Sequence, residues 1–218
     1  MEILTLVLQS ANLEKTRRFY QEKLGFEILL QDENKLVFQV GFSKLIFEKV
    51  EVESSPQYHY AFLIPYNSIE QAYQWLLDRV QILNSESGPI VDFKSWKAKS
   101  VYFEDSLGNI LEFIERSDLQ NEINDDFSSQ SILCINEIGI VGNSPLEIAE
   151  KIRNDSGLDY FSKGPKESDF MVLGEDSGLL IISKKGRNWY PTLKPSKPFP
   201  VRFEIKKGDK ETWFEWHK

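Results

Sequence analysis

The chain has 218 residues, of which 41% are hydrophobic and 13% aromatic, which is enough for a buried core in one large domain or two small ones. There are 26 Lys and Arg against 34 Asp and Glu, and the formal net charge of −8 argues against nucleic acid or an anionic membrane as the main partner. The start of the chain has no basic n-region and no window reaches a membrane-spanning apolar length, so we expect a cytoplasmic protein.

The first part of the chain predicts a strand, a helix and then two or three short strands. An apolar run predicts the first strand over 3–9, and Asn12 is a capping residue for a helical stretch over 13–23 that Gly25 ends. A loop over 51–57 closes this unit. The short strands are predicted at 26–31, 35–40 and 44–50.

The same order of elements then recurs. A strand over 58–64 precedes a helix that Ser68 opens, with Gln71 three residues later as a predicted capping box. Three further strands are predicted at 90–93, 100–103 and 110–115. The recurrence, with a period of about 55 residues, indicates an internal structural repeat.

Glu112 is an unusual residue in the last of these strands. Side chains alternate along a strand, so Glu112 shares a face with the apolar Ile110 and Ile114. An ionised carboxylate there is costly unless a cation or a donor meets it, which makes Glu112 a candidate site residue. The alternative is a glutamate at the surface near the end of a strand.

A third strand–helix–strand pattern follows a polar, acidic stretch over 117–130 that is typical of a linker. We predict a strand over 131–141 and a helix from a capping box at 144–147 to about 154. The single cysteine, Cys134, lies in an apolar run, which favours a buried structural thiol over a nucleophile. A hairpin is predicted at 170–173 and 178–184, and a last strand at 201–206.

Three stretches resemble the vicinal oxygen chelate superfamily, which includes glyoxalases, bleomycin-resistance proteins and extradiol dioxygenases. The stretch 12–26, with its Phe-Tyr and Leu-Gly-Phe, resembles the first helix of that family. The stretch 59–62, His-Tyr-Ala-Phe, resembles the start of its second module, and 103–112 resembles its Asp-Pro-x-Gly-Asn-x-x-Glu signature. The resemblance covers residues 3–115.

The resemblance implies an α+β fold in which paired βαβββ modules form a curved, incompletely closed β-sheet around a pocket. We therefore expect a paired-module domain over 1–116, a linker over 117–130, and a third single βαβββ-like module with a C-terminal tail over 131–218. Because modules work in pairs in this superfamily, a lone third module would leave a sheet face and edges uncovered. The third module could pack on the first two modules or pair with its counterpart in a second chain, and of these we predict a homodimer.

The resemblance also implies positions for a divalent metal. Two of them fall on His59 and Glu112, and a third, in the opening strand, falls on Thr5, which is a poor ligand. The fourth position falls on Glu48 if the strand is in the expected register, and a shift of one residue would turn Glu48 outward.

These positions leave two function classes open. A small-molecule binding protein without a complete metal site, in the manner of the bleomycin-resistance relatives, is favoured by Thr5, with His59 and Glu112 hydrogen bonded to each other. The alternative is a lyase, isomerase or dioxygenase-like enzyme in which Zn, Mn, Fe or Ni, held by His59, Glu112 and Glu48, chelates adjacent substrate oxygens while Glu112 moves a proton. Extradiol chemistry is disfavoured because the only other histidine is His217.

Other residues carry weaker expectations. His59, Trp96, Tyr102 and Phe103 are predicted ligand-binding residues, although the aromatic ones also suit an ordinary core. The segment 187–190 could cover a pocket, but a solvated hairpin end is favoured. In the third module, counting back from the helix reaches Ile138, with Glu137 beside it, so no ligand-type residue is predicted there. The apolar tail 213–217 indicates docking on another surface. A third interpretation is an assembly module whose pocket is filled by its own side chains.

Overall fold

The computed structural model describes residues 1–52 and 56–217, so residues 53–55 of the predicted loop over 51–57 lie outside the described residues. The helices are α1 (Leu13–Arg17), which continues as a π-helical stretch (Arg18–Lys23), α2 (Ile69–Leu77) and α3 (Pro145–Ser156). The strands in the first half of the chain are β1 (Glu2–Ser10), β2 (Glu27–Gln31), β3 (Lys35–Val40), β4 (Ser43–Lys49), β5 (His59–Leu63), β6 (Gln81–Leu83), β7 (Ile90–Phe93), β8 (Ala98–Glu104) and β9 (Ile110–Arg116). The strands in the second half are β10 (Cys134–Gly142), β11 (Lys166–Glu167), β12 (Phe170–Glu175), β13 (Gly178–Lys184), β14 (Val201–Lys207) and β15 (Lys210–Trp216).

The strands form two open sheets, which confirms the predicted α+β fold of βαβββ modules. One sheet has six strands in the order β15-β14-β1-β4-β3-β2. The other has nine strands, in the order β11-β12-β13-β10-β5-β9-β8-β6, with β7 also paired to β8. In each module the first strand is parallel to the last, as β5 is to β9 and β10 is to β13.

The module partnership differs from the predicted one. The expectation was a sheet shared by the first and second modules, but β5 of the second module pairs antiparallel with β10 of the third. Strand periodicity specifies which face of a strand is buried and leaves the partner of each edge undetermined, so the sequence did not distinguish the two arrangements. The third module is therefore not alone, and the reason for expecting a homodimer no longer applies. The domain boundaries stay a prediction.

The first module has its own partner, the C-terminal hairpin of β14 and β15. Strand β14 pairs antiparallel with β1, and β15 covers the outer edge of β14. The predicted docking of the 213–217 tail is thus made by a regular strand: Phe214 stacks on Phe203 of β14, with ring centroids 5.3 Å apart. Strands β6, β11 and β15 were not predicted.

Helix termini match the sequence in part. The side chain of Asn12 accepts from Lys15 N at 2.9 Å, as a capping residue should. The capping box predicted at Ser68 is wrong: Ser68 donates to the carbonyl oxygen of Pro65, and Glu115 of β9 accepts from the backbone N–H groups of residues 68 and 69, both at 2.9 Å. A neighbouring strand therefore caps α2.

The main hydrophobic core contains residues from both sheets and from the helical segments. At its centre Tyr20, from the first module, contacts the Tyr60 hydroxyl and donates to Asp105 at 2.7 Å, which joins the helix of the first module to the turn before β9. Cys134 is a free, buried thiol whose pKa burial raises to about 12, in agreement with the predicted structural role. None of the helices described is long and apolar enough to cross a bilayer.

Candidate active site

Three ligand-type side chains meet on the face of the nine-stranded sheet that points away from the main core. His59 is on β5, Glu112 on β9 and Glu137 on β10, and the last two strands flank β5 on either side. Both glutamates are paired with Ala61 of β5. His59 is two residues from Ala61 and shares its face. The three ligand atoms lie within 4.8 Å of one another, and all three side chains are buried.

His59 presents a free nitrogen to this group. Its Nδ1 lies 3.1 Å from the carbonyl oxygen of Ile110, and because that oxygen can only accept a hydrogen bond, Nδ1 carries the proton and donates. Nε2 then has the lone pair and lies 3.7 Å from Glu112 Oε2, too far for the predicted hydrogen bond between the two side chains. Burial lowers the pKa of His59 to about 4, so the ring is neutral at pH 7, the form in which imidazole binds metals.

The carboxylates of Glu112 and Glu137 are both buried, and Arg116 is the cation that acts on both of them. Burial raises the pKa of Glu112 well above its usual range, and the negative charge of Glu137 raises it further, while the hydroxyls of Ser100 and Tyr102 and the charge of Arg116 act in the opposite sense. Burial also raises the pKa of Glu137, and Arg116 counteracts it. Because one positive charge does not balance two adjacent buried carboxylates, Glu112 favours binding either a proton or a second cation.

Arg116 is the counter-charge. Its side chain is fully buried, its Nη2 donates to Glu137 Oε1 at 2.5 Å, and its Nε donates to the side chain of Asn136 at 2.9 Å. Nη1 has no hydrogen-bond partner among the described residues and lies 3.7 Å from Asp176 Oδ1. One oxygen of Glu137 is therefore held by Arg116, which leaves the other as the oxygen available to a ligand.

The donor set fits a divalent ion. One neutral imidazole nitrogen and two carboxylates form the mixed nitrogen and oxygen set that suits Zn, Mn, Fe or Ni. Burial raises the pKa of Glu112, and a dication bound there would favour the ionised carboxylate. In the third module, the residue that corresponds to Glu112 is Ile181 of β13. It pairs with Gly139 of β10 in the same way as Glu112 pairs with Ala61 of β5. It is apolar, so the group has three ligand-type residues.

A cavity of about 260 Å³ opens beside this group. Of the predicted ligand-binding residues, His59, Trp96 and Tyr102 line it. Phe103 lies on the opposite face of β8, fully buried against Phe113 with ring centroids 5.1 Å apart. The lining residues are His59, Phe93, Trp96, Tyr102, Glu112, Ile114, Glu137, Pro165, Phe170, Ile181, Arg187, Trp189 and Tyr190.

The connection from β13 to β14, residues 185–200, forms one wall of the cavity, and we call it the strap. The favoured interpretation of 187–190 as a solvated hairpin end is wrong, because Arg187, Trp189 and Tyr190 all line the cavity. Trp189 is buried and lies 5.0 Å from the His59 ring, centroid to centroid. Gly139 makes room for it, since a Cβ there would approach the Trp189 ring to 3.0 Å. The strap thus reaches the ligand-type residues.

Glu48 is not part of this group. It lies on β4 of the six-stranded sheet, half-exposed, and makes an ion pair with Arg202 of β14 at 2.6 Å. Thr5 is on the same sheet, where its hydroxyl donates to Glu204 at 3.0 Å. Both predicted positions belong to the first module, which pairs with β14, and so neither bears on the site that the second and third modules form.

Glu137 is the residue that the sequence analysis missed. The count back from the helix reached Ile138, which follows Glu137 directly, and adjacent residues of a strand point to opposite faces. The β-bulge between Ile135 and Glu137 lies on the other side of Glu137 from the helix and did not affect this count. A signal was present, because Glu137 is a carboxylate in an otherwise apolar strand, the same feature that singled out Glu112.

Comparison with known proteins agrees with the fold. No protein-family model matches the chain. Over 108 residues the chain is 35% identical to metallothiol transferase FosB of Staphylococcus haemolyticus, an alignment that covers 47% of this chain and 74% of the relative. FosB of Staphylococcus epidermidis has the same identity and coverage.

Among solved structures, a candidate dioxygenase from Bacillus subtilis subsp. subtilis str. 168 is similar with a TM-score of 0.62 and 17% identity, over 89% of this chain and 64% of that one. The chain thus spans less than two thirds of that protein, and the likeness concerns the fold alone. A lactoylglutathione lyase from Agrobacterium tumefaciens has a TM-score of 0.45 and 17% identity, over 55% of this chain and 96% of that one.

Proposed function

The chain belongs to the vicinal oxygen chelate superfamily, and on that premise we propose that it is a divalent-metal-dependent enzyme acting on a small organic substrate with two adjacent oxygens. The observation that carries the proposal is the convergence of His59, Glu112 and Glu137 within 4.8 Å beside an aromatic-lined cavity. The name of the FosB relatives, metallothiol transferase, supports a metal in this family.

The three side chains would have different roles. A bound divalent ion supplies Lewis acidity toward chelated oxygens. His59 offers Nε2, and Glu137 offers the oxygen that Arg116 does not hold. Glu112 has no guanidinium of its own and a pKa raised by burial, which suits it to take a proton from the substrate and return it. The apolar walls of the cavity would exclude water during this transfer.

Metal analysis of protein purified without chelator tests the proposal. We expect about one equivalent of Zn, Mn, Fe or Ni in the wild type, and loss of the metal in His59→Ala and Glu137→Gln. Glu48→Gln is the matched control and should keep the metal, since Glu48 lies on the other sheet. A wild-type protein that takes up none of these ions, even after soaking, would overturn the proposal.

A second candidate is a metal-free small-molecule binding protein. The ion pair between Arg116 and Glu137 favours it, because one of the two carboxylates already has a buried cation at 2.5 Å. In that case the wild type binds no metal, and His59→Ala changes ligand affinity only. The cytoplasmic location and the homodimer remain predictions. So does the expectation that the chain binds neither nucleic acid nor a membrane.

A further inference from the structure

Arg187 is the one arginine or lysine that lines the cavity within the described residues. Its guanidinium lies over the ring of Phe170, 4.2 Å from the centroid, and its Nε is 3.5 Å from Asp169 Oδ2. That contact is an ion pair longer than an ordinary N–H···O hydrogen bond, and no hydrogen bond from the Arg187 side chain is found within the described part of the chain. Asp169 lies beside Nε, and the two Nη groups of Arg187 are therefore the donors available to a ligand.

The strap holds Arg187 in place through its own backbone. Ser196 N donates to Arg187 O at 2.8 Å, and Gly186 N donates to Ser196 O at 2.9 Å, so this part of the strap is a braced hairpin. Its other side is fixed to β8 by Lys194, whose Nζ donates to Glu104 at 2.6 Å. Because the strap and the Phe170 ring both position the guanidinium, little side-chain freedom remains to be lost when an anion binds.

The walls between Arg187 and the carboxylates are aromatic. Their rings give a slot of about 260 Å³, a volume that suits a ligand of roughly one ring with substituents. Flat walls of this kind favour a planar ring through offset or edge contacts. The rings belong to Phe93, Trp96, Tyr102, Phe170, Trp189 and Tyr190.

Charge decides how such a ligand is oriented. The chain has a net charge of −8, and two buried carboxylates lie at one end of the cavity. Arg187 supplies the only lysine or arginine charge among the lining residues described. An anionic group on the ligand is therefore directed to the Arg187 end of the cavity, away from the two carboxylates. Asp169 pairs with the Nε side of the guanidinium, and the two Nη groups can bind a carboxylate through two parallel hydrogen bonds.

We propose that the cavity binds a planar aromatic acid, with Arg187 as the residue that recognises its carboxylate. This inference deepens the proposed function. It rests on the proposed function for the end of the ligand that faces His59, Glu112 and Glu137. The binding of the ligand's carboxylate at the other end is argued from Arg187 and the strap alone. Arg187 is a specificity-determining residue in this arrangement.

Two matched pairs of probes test the two ends separately. Benzoate and benzamide differ in charge at nearly equal size, and neither offers two adjacent hydroxyls. 3,4-Dihydroxybenzoate and 3,4-dihydroxybenzamide add the adjacent oxygens. The dissociation constants of all four would be measured by calorimetry on the wild type, Arg187→Gln, Arg187→Lys and the control Arg202→Gln, with and without EDTA.

We expect each carboxylate probe to bind the wild type roughly tenfold more tightly than its amide, as a charge-assisted hydrogen-bonded pair predicts. Arg187→Gln should reduce this ratio to about one, Arg187→Lys should keep part of it, and Arg202→Gln should keep all of it. Equal binding of acid and amide to the wild type, no detectable binding of any probe, or a ratio unchanged in Arg187→Gln would overturn the inference.

The benzoate pair in EDTA separates this inference from the proposed function. If the chain binds no metal, the dihydroxy probes gain nothing over benzoate, yet the preference for acid over amide and its loss in Arg187→Gln should persist. If the chain binds metal but the carboxylate and amide probes bind with equal affinity, the proposed function stands, and the proposed role of Arg187 in recognising the carboxylate is wrong.

Discussion

Glu112 and Glu137 face each other across the width of a single strand, because both are paired with Ala61 of β5. Ala61 is fully buried, and its methyl group lies on β5 between the two strands that carry these carboxylates. The site therefore depends on a small residue as well as on its charged ones.

Replacing Ala61 with leucine should abolish metal binding, because the larger side chain fills the space between the carboxylates. Overpacking costs about 1–3 kcal/mol of stability. Ala72→Leu is the matched control, since Ala72 is equally buried but lies on α2 in the main core. Metal content and urea denaturation of both variants are the measurements. Stoichiometric metal in folded Ala61→Leu protein would contradict the site.

Replacing Arg116 with methionine should destabilise the protein by about 3–5 kcal/mol, because Glu137 would be left buried without its cation. Adding Glu137→Leu to that variant should recover most of the loss, since an apolar pair of similar volume removes both charges. Urea denaturation of the two single variants and the double variant gives the coupling. Arg153→Met, at a half-exposed ion pair with Glu150, should lose less. Additive effects of the two site variants would contradict the pairing.

Stability should fall as the pH falls from 6.5 toward 4 because of His59. Its ordinary pKa of 6.5 applies to the unfolded chain and the folded value is about 4, so in this window only the unfolded state takes up the proton. The contribution of neutral His59 to the free energy of unfolding is fully present above pH 6.5. By about pH 4 the protein has lost about 3 kcal/mol of this free energy.

Urea denaturation in EDTA at pH 7.5, 6 and 5 measures this effect. His59→Gln should flatten the dependence relative to the wild type, whereas His217→Gln should not, because His217 is the only other histidine and is exposed. Parallel curves for the wild type and His59→Gln would show that the ring is not buried in its neutral form.

Replacing Glu115 with alanine should destabilise the protein by roughly 1–2 kcal/mol, the usual effect of losing a helix cap. Glu115 accepts from Ser68 N and Ile69 N, so its loss leaves two donors at the start of α2 without a partner. Glu70→Ala, in the exposed first turn of the same helix, is the control. Free energies of unfolding from urea titration compare the two, and equal losses would show that Glu115 does not act as the cap.

Most of the local structure was predictable from the sequence. The sequence patterns placed β3, β7 and β13 at their observed bounds and the other predicted strands within a few residues. His59 and Glu112 were identified from the stretches that resemble the superfamily, and both lie at the site. These signals are local, because they depend on residue types at a fixed spacing along one strand or turn.

The parts that were not predictable depend on contacts between distant strands. Nothing in the composition of β5 determines whether β1 or β10 pairs with its free edge. Glu137 was overlooked because the count back from the helix fell one residue away, on Ile138, whose side chain points to the opposite face of β10. Glu48 and Thr5 were assigned to the site because the wrong modules were paired.

The pairing of β1 with β14 also has a consequence for biosynthesis. Thr5 and Glu204 are hydrogen bonded although they are 199 positions apart in the chain. During translation β1 and β4 can associate early, but the other edge of β1 must stay open until the C-terminal hairpin leaves the ribosome. All strands of the nine-stranded sheet, which carries the candidate site, have been synthesised once β13 has emerged, so this sheet can form first. Strand β1 emerges early but is among the last strands to gain all of its partners.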